Sequence, residues 1–163
     1  MRVPIVGLVP WVAALVGCGS SEPANVEGMY TIAVTNRDNG CNFADWTVGE
    51  STPGIGVVIN QEGADVSATL QGGVGLFLNF ALGSDTYSGT IDGNDLDLVL
   101  YGNRNATMGN CTYSYNSEIH ATADGDTLEG RVDYVAVGNG NPDCASIDSC
   151  VTFQDFNGTR PPQ

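Results

Sequence analysis

The chain has 163 residues, with 19 Asp and Glu against five Arg and no Lys, a formal charge of −14. A protein this acidic is repelled by nucleic acid and by anionic lipid head groups, which argues against both as partners. The acidic residues are scattered among apolar ones, the pattern of a solvated surface on a folded domain and not of an acidic tail.

Arg2 gives a minimal positive start, and Val3 to Gly17 form an apolar run broken only by Pro4, Gly7 and Pro10. The run has the length of a signal core and is too short to span a bilayer as a helix. It ends in Leu15-Val16-Gly17-Cys18, which resembles the lipobox of bacterial lipoproteins. The resemblance implies a signal peptide over residues 1–17 and a mature chain whose first residue, Cys18, carries acyl chains on its sulfur and amino group. One acyl chain holds a protein to a membrane only marginally, whereas the two or three of such lipoproteins make attachment effectively permanent. The alternative is an ordinary secretory signal with a cysteine near its end. Gly19 and Ser20 follow, with no Asp at the second mature position, which resembles the enteric pattern for an outer-membrane destination. Residues 18–26 then read as the lipidated cysteine and a flexible tether. About 145 residues of charge −15 follow the signal, enough for one domain with a hydrophobic core, expected over 27–160 with a tail at 161–163.

From Gly28 onward apolar and polar residues alternate with period two, the signature of half-buried strands. Tyr30, Ile32 and Val34 share one face of a first strand, and Ile55, Val57 and Ile59 one face of the next. Val66, Ala68 and Leu70 follow, then Val74, Leu76, Leu78, Phe80 and Leu82 in a more apolar strand. Tyr87, Gly89 and Ile91 lead to Leu96, Leu98 and Leu100, with Asp95 and Asp97 facing the other way. Tyr113, Tyr115, Ile119 and Ala121 line a long strand whose other face holds Glu118 and His120. Leu128, Gly130, Val132 and Tyr134 stand opposite Glu129, Arg131 and Asp133, and a last strand runs from about Val151 to Thr159.

Three turns, Glu62-Gly63-Ala64, Asp92-Gly93-Asn94 and Asp124-Gly125-Asp126, recur about every 31 residues, the length of two strands and two connections. Gly, Asn and Asp tolerate the positive φ of tight hairpins, so the repeat reads as hairpin chemistry. Successive hairpins build a meander, and the fold expected is an all-β, eight- to nine-stranded antiparallel up-and-down barrel. A β-sandwich is the alternative, favoured if the connection from Thr35 to Pro53 crosses between sheets. The charges opposite the apolar faces fit a watery exterior, so the apolar side points inward.

Gly28-Met29-Tyr30 at the start of the first strand and Arg160 after the last resemble the lipocalin and avidin-like small barrels, with Tyr where Trp is commoner. The segment from Tyr87 to Asn94 is similar to the hairpins of that group. The resemblance implies a lipocalin-like barrel in which the early aromatic residue packs under the arginine. It implies no particular ligand, because fold alone does not assign one.

With Cys18 set aside, Cys41, Cys111, Cys144 and Cys150 form an even set in an oxidising compartment, which reads as two disulfides with three pairings open. The local pair Cys144–Cys150 is favoured, leaving Cys41–Cys111 as the long-range link. With one histidine and no Cys-x-x-Cys, the cysteines make a poor zinc site. No cofactor is expected.

His120, the single histidine, sits on a polar face without a Gly-x-Ser-x-Gly elbow in the chain, and reads as a surface residue. Asp124 to Glu129 and Asn36 to Asn39 offer oxygens at short spacing but miss the spacing of a twelve-residue calcium loop, and turn roles explain them. Among nineteen acids some must be close, yet nothing selects a pair for glycoside hydrolysis, so a small hydrolase ranks third. The aromatic residues are more informative. Tyr30, Tyr87, Tyr113, Tyr115 and Tyr134 fall on the inward faces, and Phe43 and Trp46 stand in the loop after the first strand. Rings that fill an eight-strand interior are the commoner case. A hollow interior lined by them would suit a small apolar or amphiphilic ligand, with phenolic hydroxyls holding its polar end. The expectation is thus a non-enzymatic, membrane-anchored binding protein. The alternative is a filled-core structural lipoprotein contacting an envelope protein through the Trp46 loop.

Overall fold

The computed structural model describes residues 21–162; the signal peptide and the lipidation expected at Cys18 lie outside the described residues. Nine strands and one α-helix follow in chain order. They are β1 (Gly28–Asn39), β2 (Ser51–Glu62), β3 (Asp65–Leu70), α1 (Gly72–Leu82), β4 (Thr86–Asp92), β5 (Asp95–Leu100), β6 (Ala106–Met108), β7 (Cys111–Asp124), β8 (Thr127–Gly138) and β9 (Val151–Thr159). Every pairing is antiparallel, and β1 pairs with β9 as well as β2, so eight strands close into an up-and-down barrel. Closure leaves the barrel no free edge. The ninth, short β6 pairs with the first residues of β7, just beyond the stretch of β7 that pairs with β5. The connection from Thr35 to Pro53, whose crossing between sheets would have marked the alternative sandwich, is an ordinary hairpin loop over residues 40–50, because β1 and β2 are paired from Gly28↔Ile59 to Thr35↔Ser51.

Inside the barrel lie Val57, Ile59, Val66, Ala68, Ile91, Leu96, Leu98, Ile119, Leu128, Val132 and Phe156, all buried. On the strands, charge faces outward. Across adjacent strands Asp97 faces His120, His120 faces Arg131, and Arg131 faces Asp155, which also pairs with Arg37 at 2.6 Å. The Arg131 guanidinium lies 3.6 Å from the centre of the Phe153 ring.

One expected strand is a helix. The segment carrying Val74, Leu76, Leu78, Phe80 and Leu82 forms α1, with Gly75, Leu78 and Leu82 buried and Leu76, Phe77 and Phe80 exposed. Gly83 ends it in the left-handed region at φ 95°, its N–H donating to the carbonyls of Leu78 and Asn79. A side chain there would be strained and would collide with Asn103.

The barrel's two ends differ. The three repeated turns share one end, with Gly63, Gly93 and Gly125 at φ 64°, 58° and 59°. Residues 21–27 cross that end and close it. The Ser21 hydroxyl bonds Asp92 at 2.8 Å, the Ala24 N–H donates to the Gly93 carbonyl, and the Val26 N–H donates to Gln61 Oε1 at 2.7 Å. Val26 and Tyr30 are fully buried, and the Arg160 guanidinium stands 5.4 Å from the centre of the Tyr30 ring. The segment expected as a flexible tether is therefore, from Ser21 onward, part of the barrel's floor. The opposite end carries the longer connections, including α1, and both disulfides.

All four expected cysteines are paired, but as Cys41–Cys150 and Cys111–Cys144, not as the expected Cys144–Cys150 and Cys41–Cys111. Cys41 leaves β1 and Cys150 leads into β9, neighbours at the closing seam, where the Gly40 N–H also donates to the Val151 carbonyl. Cys144 lies on a single 3-10 turn, Pro142–Cys144, held near the start of β7 by the bonds of Asn110 to Asp143.

Candidate functional site: an apolar cavity

The barrel is hollow. A cavity of about 840 Å³ opens at the end opposite residues 21–27, within the ~300–1,000 Å³ of ordinary ligand sites. Period-two alternation builds its wall, since β2, β3, β5, β7 and β8 each turn one apolar row inward. Ile59, Ala68, Leu96, Leu98, Ile119, Leu128, Val132 and Phe156 are among the lining residues. Leu78 and Leu82 of α1 line it too, as do Phe77 and Phe80, whose rings are largely exposed. Of the two interiors the sequence leaves open, filled and hollow, this is the hollow one: several of the rings stand at the mouth and leave the barrel open.

There the loop after β1 supplies Phe43 and Trp46, and β7 and β8 supply Tyr113, Tyr115 and Tyr134. Phe43 meets Tyr115 edge to face at 4.9 Å and Tyr134 at 6.0 Å, Trp46 meets Tyr134 at 6.4 Å, and Tyr113 meets Tyr115 at 5.8 Å. The loop is held in place by Asn39, whose side chain accepts from the Phe43 N–H and donates to the Phe43 carbonyl. Trp46 Nε1 donates to the Arg37 carbonyl at 2.8 Å. A polar chain runs through the same region: the Tyr134 hydroxyl donates to Gln154, and Gln154 donates to Asn36. Arg104, Asn105, Asp45, Glu50 and Thr52 complete the polar lining. Sequence reasoning missed Arg104, Gln154, α1 and the place of Asn36 in the cavity, because none carries a motif for it and only closure of the barrel brings them together.

Of the residues expected to bind ligand, Tyr87, Tyr113, Tyr115, Tyr134 and Trp46 line the cavity, and Tyr30 does not. Tyr30 is in the floor beneath Arg160. Tyr87 is buried, its hydroxyl 2.8 Å from that of Ser117, which is fully buried. Burial pushes the Tyr87 hydroxyl up to about 12, against a small opposing pull from Ser117, and burial raises Tyr134 as well, helped by Tyr87. A raised phenol stabilises the fold fully below its ordinary value of 10.0 and loses that contribution as pH rises towards 12. The urea midpoint should therefore fall across that interval. Tyr87→Phe should flatten the fall while costing about 1 kcal/mol at neutral pH for the lost Ser117 bond. An unchanged alkaline slope would place the sensitivity elsewhere.

The other sequence candidates, Asn36 apart, lie outside the cavity. His120 is exposed, with Nδ1 2.6 Å from Asp97 and Nε2 4.0 Å from Glu118. Asp124 ends β7 and Asp126 stands in the turn to β8, paired with Arg160 at 2.9 Å, and of the run Asn36 to Asn39 along β1 only Asn36 reaches the cavity. Among the described residues no group of three or more His, Cys, Asp and Glu is arranged to hold a metal ion, and no helix is long and apolar enough to cross a membrane. The acids among the lining residues are Asp45 and Glu50, both exposed.

Fold and cavity together define a closed up-and-down β-barrel with one open end and an apolar interior. Comparison with protein-family models, curated proteins and solved structures finds no match for the chain.

Proposed function

We propose that this is a lipoprotein of the bacterial outer membrane, held through acylated Cys18, whose barrel binds a small amphiphile without chemical conversion. The observation that carries the reading is the open 840 Å³ cavity with an apolar wall and its polar groups at the mouth. That polarity gradient favours a ligand bound tail first, its head among Gln154, Tyr134, Asn36 and Arg104. An apolar tail gains roughly 0.8 kcal/mol per methylene moved out of water, so a chain of modest length suffices for useful affinity. The exposed Leu76, Phe77 and Phe80 of α1, with Val48 exposed on the Trp46 loop, favour a second reading, a protein contact made at this end of the barrel.

The test is mass spectrometry of protein purified from its own host, under native and then denaturing conditions. A mass excess lost on denaturation supports a bound ligand, and the denatured N-terminal peptide reads acylation of Cys18 directly. Ala68→Phe, which puts a ring into the cavity from β3, should abolish the excess while leaving the fold intact. An excess that survives Ala68→Phe, or none in either protein, counts against the cavity as the binding site.

A further inference from the structure

The path of residues 21–27 has a consequence for how the barrel stands on a membrane. Ser21 is bonded to the turn between β4 and β5 at the closed end. Ala24 and Val26 are bonded there to Gly93 and Gln61, with Val26 fully buried. Arg160 further binds the carbonyls of Asn25 and Glu27. From this pinned segment back to Cys18 is three residues, a reach of about 10 Å even when fully extended. The wall between the two ends is built of strands such as the 12-residue β1, β2 and β8. At ~3.3 Å per residue and a tilt of ~40°, that wall is about 30 Å high, and about 15–18 Å along the six- and seven-residue β5 and β4 beside Ser21, still more than the tether's reach. The tether is too short to lead the anchor around the wall to the mouth.

We infer that the anchored barrel stands with its closed end on the bilayer and opens away from it, so that the cavity exchanges its ligand with the aqueous side and not with the leaflet that holds the protein. This rests on Cys18 being the anchor. The exposed apolar side of α1, at the open end, is then held clear of the anchoring membrane, which leaves its own lipid tails out of reach of the mouth. A ligand must arrive through water, singly or on a carrier.

The chain lends itself to a direct test. Cys18 is the one cysteine outside the two disulfides, and in protein starting at Cys18 the sole tryptophan is Trp46, at the mouth. Such protein, coupled through its thiol to maleimide-headgroup lipid in phosphatidylcholine vesicles, is compared with an N94W/W46F variant carrying the indole at the closed end. Energy transfer to a dansylated headgroup lipid should be about tenfold or more stronger from the N94W/W46F protein, given a wall of ~30 Å between the ends. Equal transfer from both proteins, or stronger transfer from Trp46, overturns the orientation. Coupling fixes the anchor whatever the cell does to Cys18, so that result sinks the orientation alone. An unacylated N-terminus in protein from the host sinks the lipoprotein reading alone.

Discussion

Replacing Cys41 and Cys150 together by serine is expected to lower the unfolding free energy by about 4–5 kcal/mol, on the chain-entropy model for a link this long. The bridge spans 109 residues, whereas Cys111–Cys144 spans 33 and should be worth about 3–4 kcal/mol on the same model. Against the ~5–15 kcal/mol typical of a domain, either loss is large. Position sharpens the difference. Cys41–Cys150 joins the end of β1 to the start of β9, the seam where the first and last strands close the barrel, so in the unfolded chain it removes the longest loop that folding must otherwise close. Urea unfolding of the two double-serine variants should give midpoints in that order, with C41S/C150S the weaker. The same variant frees one side of the loop carrying Phe43 and Trp46, so Trp46 emission should shift to the red before global unfolding. A larger loss from C111S/C144S would mean that seam closure is not the step the longer bridge assists.

That seam also explains which parts of the structure could be read from sequence. The strands were legible because one face meets the interior and the other meets water, which leaves a period of two in the residues themselves, as in Leu96, Leu98 and Leu100 against Asp95 and Asp97. The three similar turns were legible as well, and their spacing of two strands is why all three share one end of the barrel. The segment from Val74 to Leu82 was misread for a physical reason. It is apolar on nearly every side, so alternation and helical spacing fit it equally, and its buried Leu78 and Leu82 stand four apart. Gly83 just beyond it was the available signal for a helix end. The disulfides were misassigned because sequence nearness was weighed above topology. In an up-and-down barrel the first strand meets the last, and a cysteine leaving β1 and another entering β9 are neighbours at that seam. The cavity itself was out of reach, since whether rings fill a barrel or crowd its mouth depends on strand register and loop paths that no local pattern records. Tyr30 and Tyr115 look alike along the chain, yet one is in the floor and the other at the mouth.

At the closed end the largest single effect is expected from Arg160→Met, a loss of about 3 kcal/mol built from hydrogen bonds to a charged donor at ~1.5–3 kcal/mol each, less what water recovers. The Arg160 side chain is 6% exposed. Its guanidinium donates to the carbonyls of Asn25, Glu27 and Gly125 and to the carboxylate of Asp126. Methionine keeps the apolar stem beside Tyr30 but leaves three carbonyls without that donor, and two of them belong to the segment that closes the floor. Asp126 is 35% exposed and can turn to water, so Asp126→Asn should cost under about 1 kcal/mol, as a partly solvated ion pair does. The contrast separates two accounts of the same residue. If Arg160 acts as a charge partner, the two variants should weaken the fold alike and high salt should level them. If it acts as a clasp on the backbone of residues 25–27, Arg160→Met alone should be severe and insensitive to salt. Its first sign should be loss of amide-exchange protection at Ala24 and Val26, whose N–H groups are bonded to Gly93 and Gln61. A clasp is the expected result, because the carbonyl acceptors outnumber the one carboxylate and the segment that Arg160 holds carries the fully buried Val26.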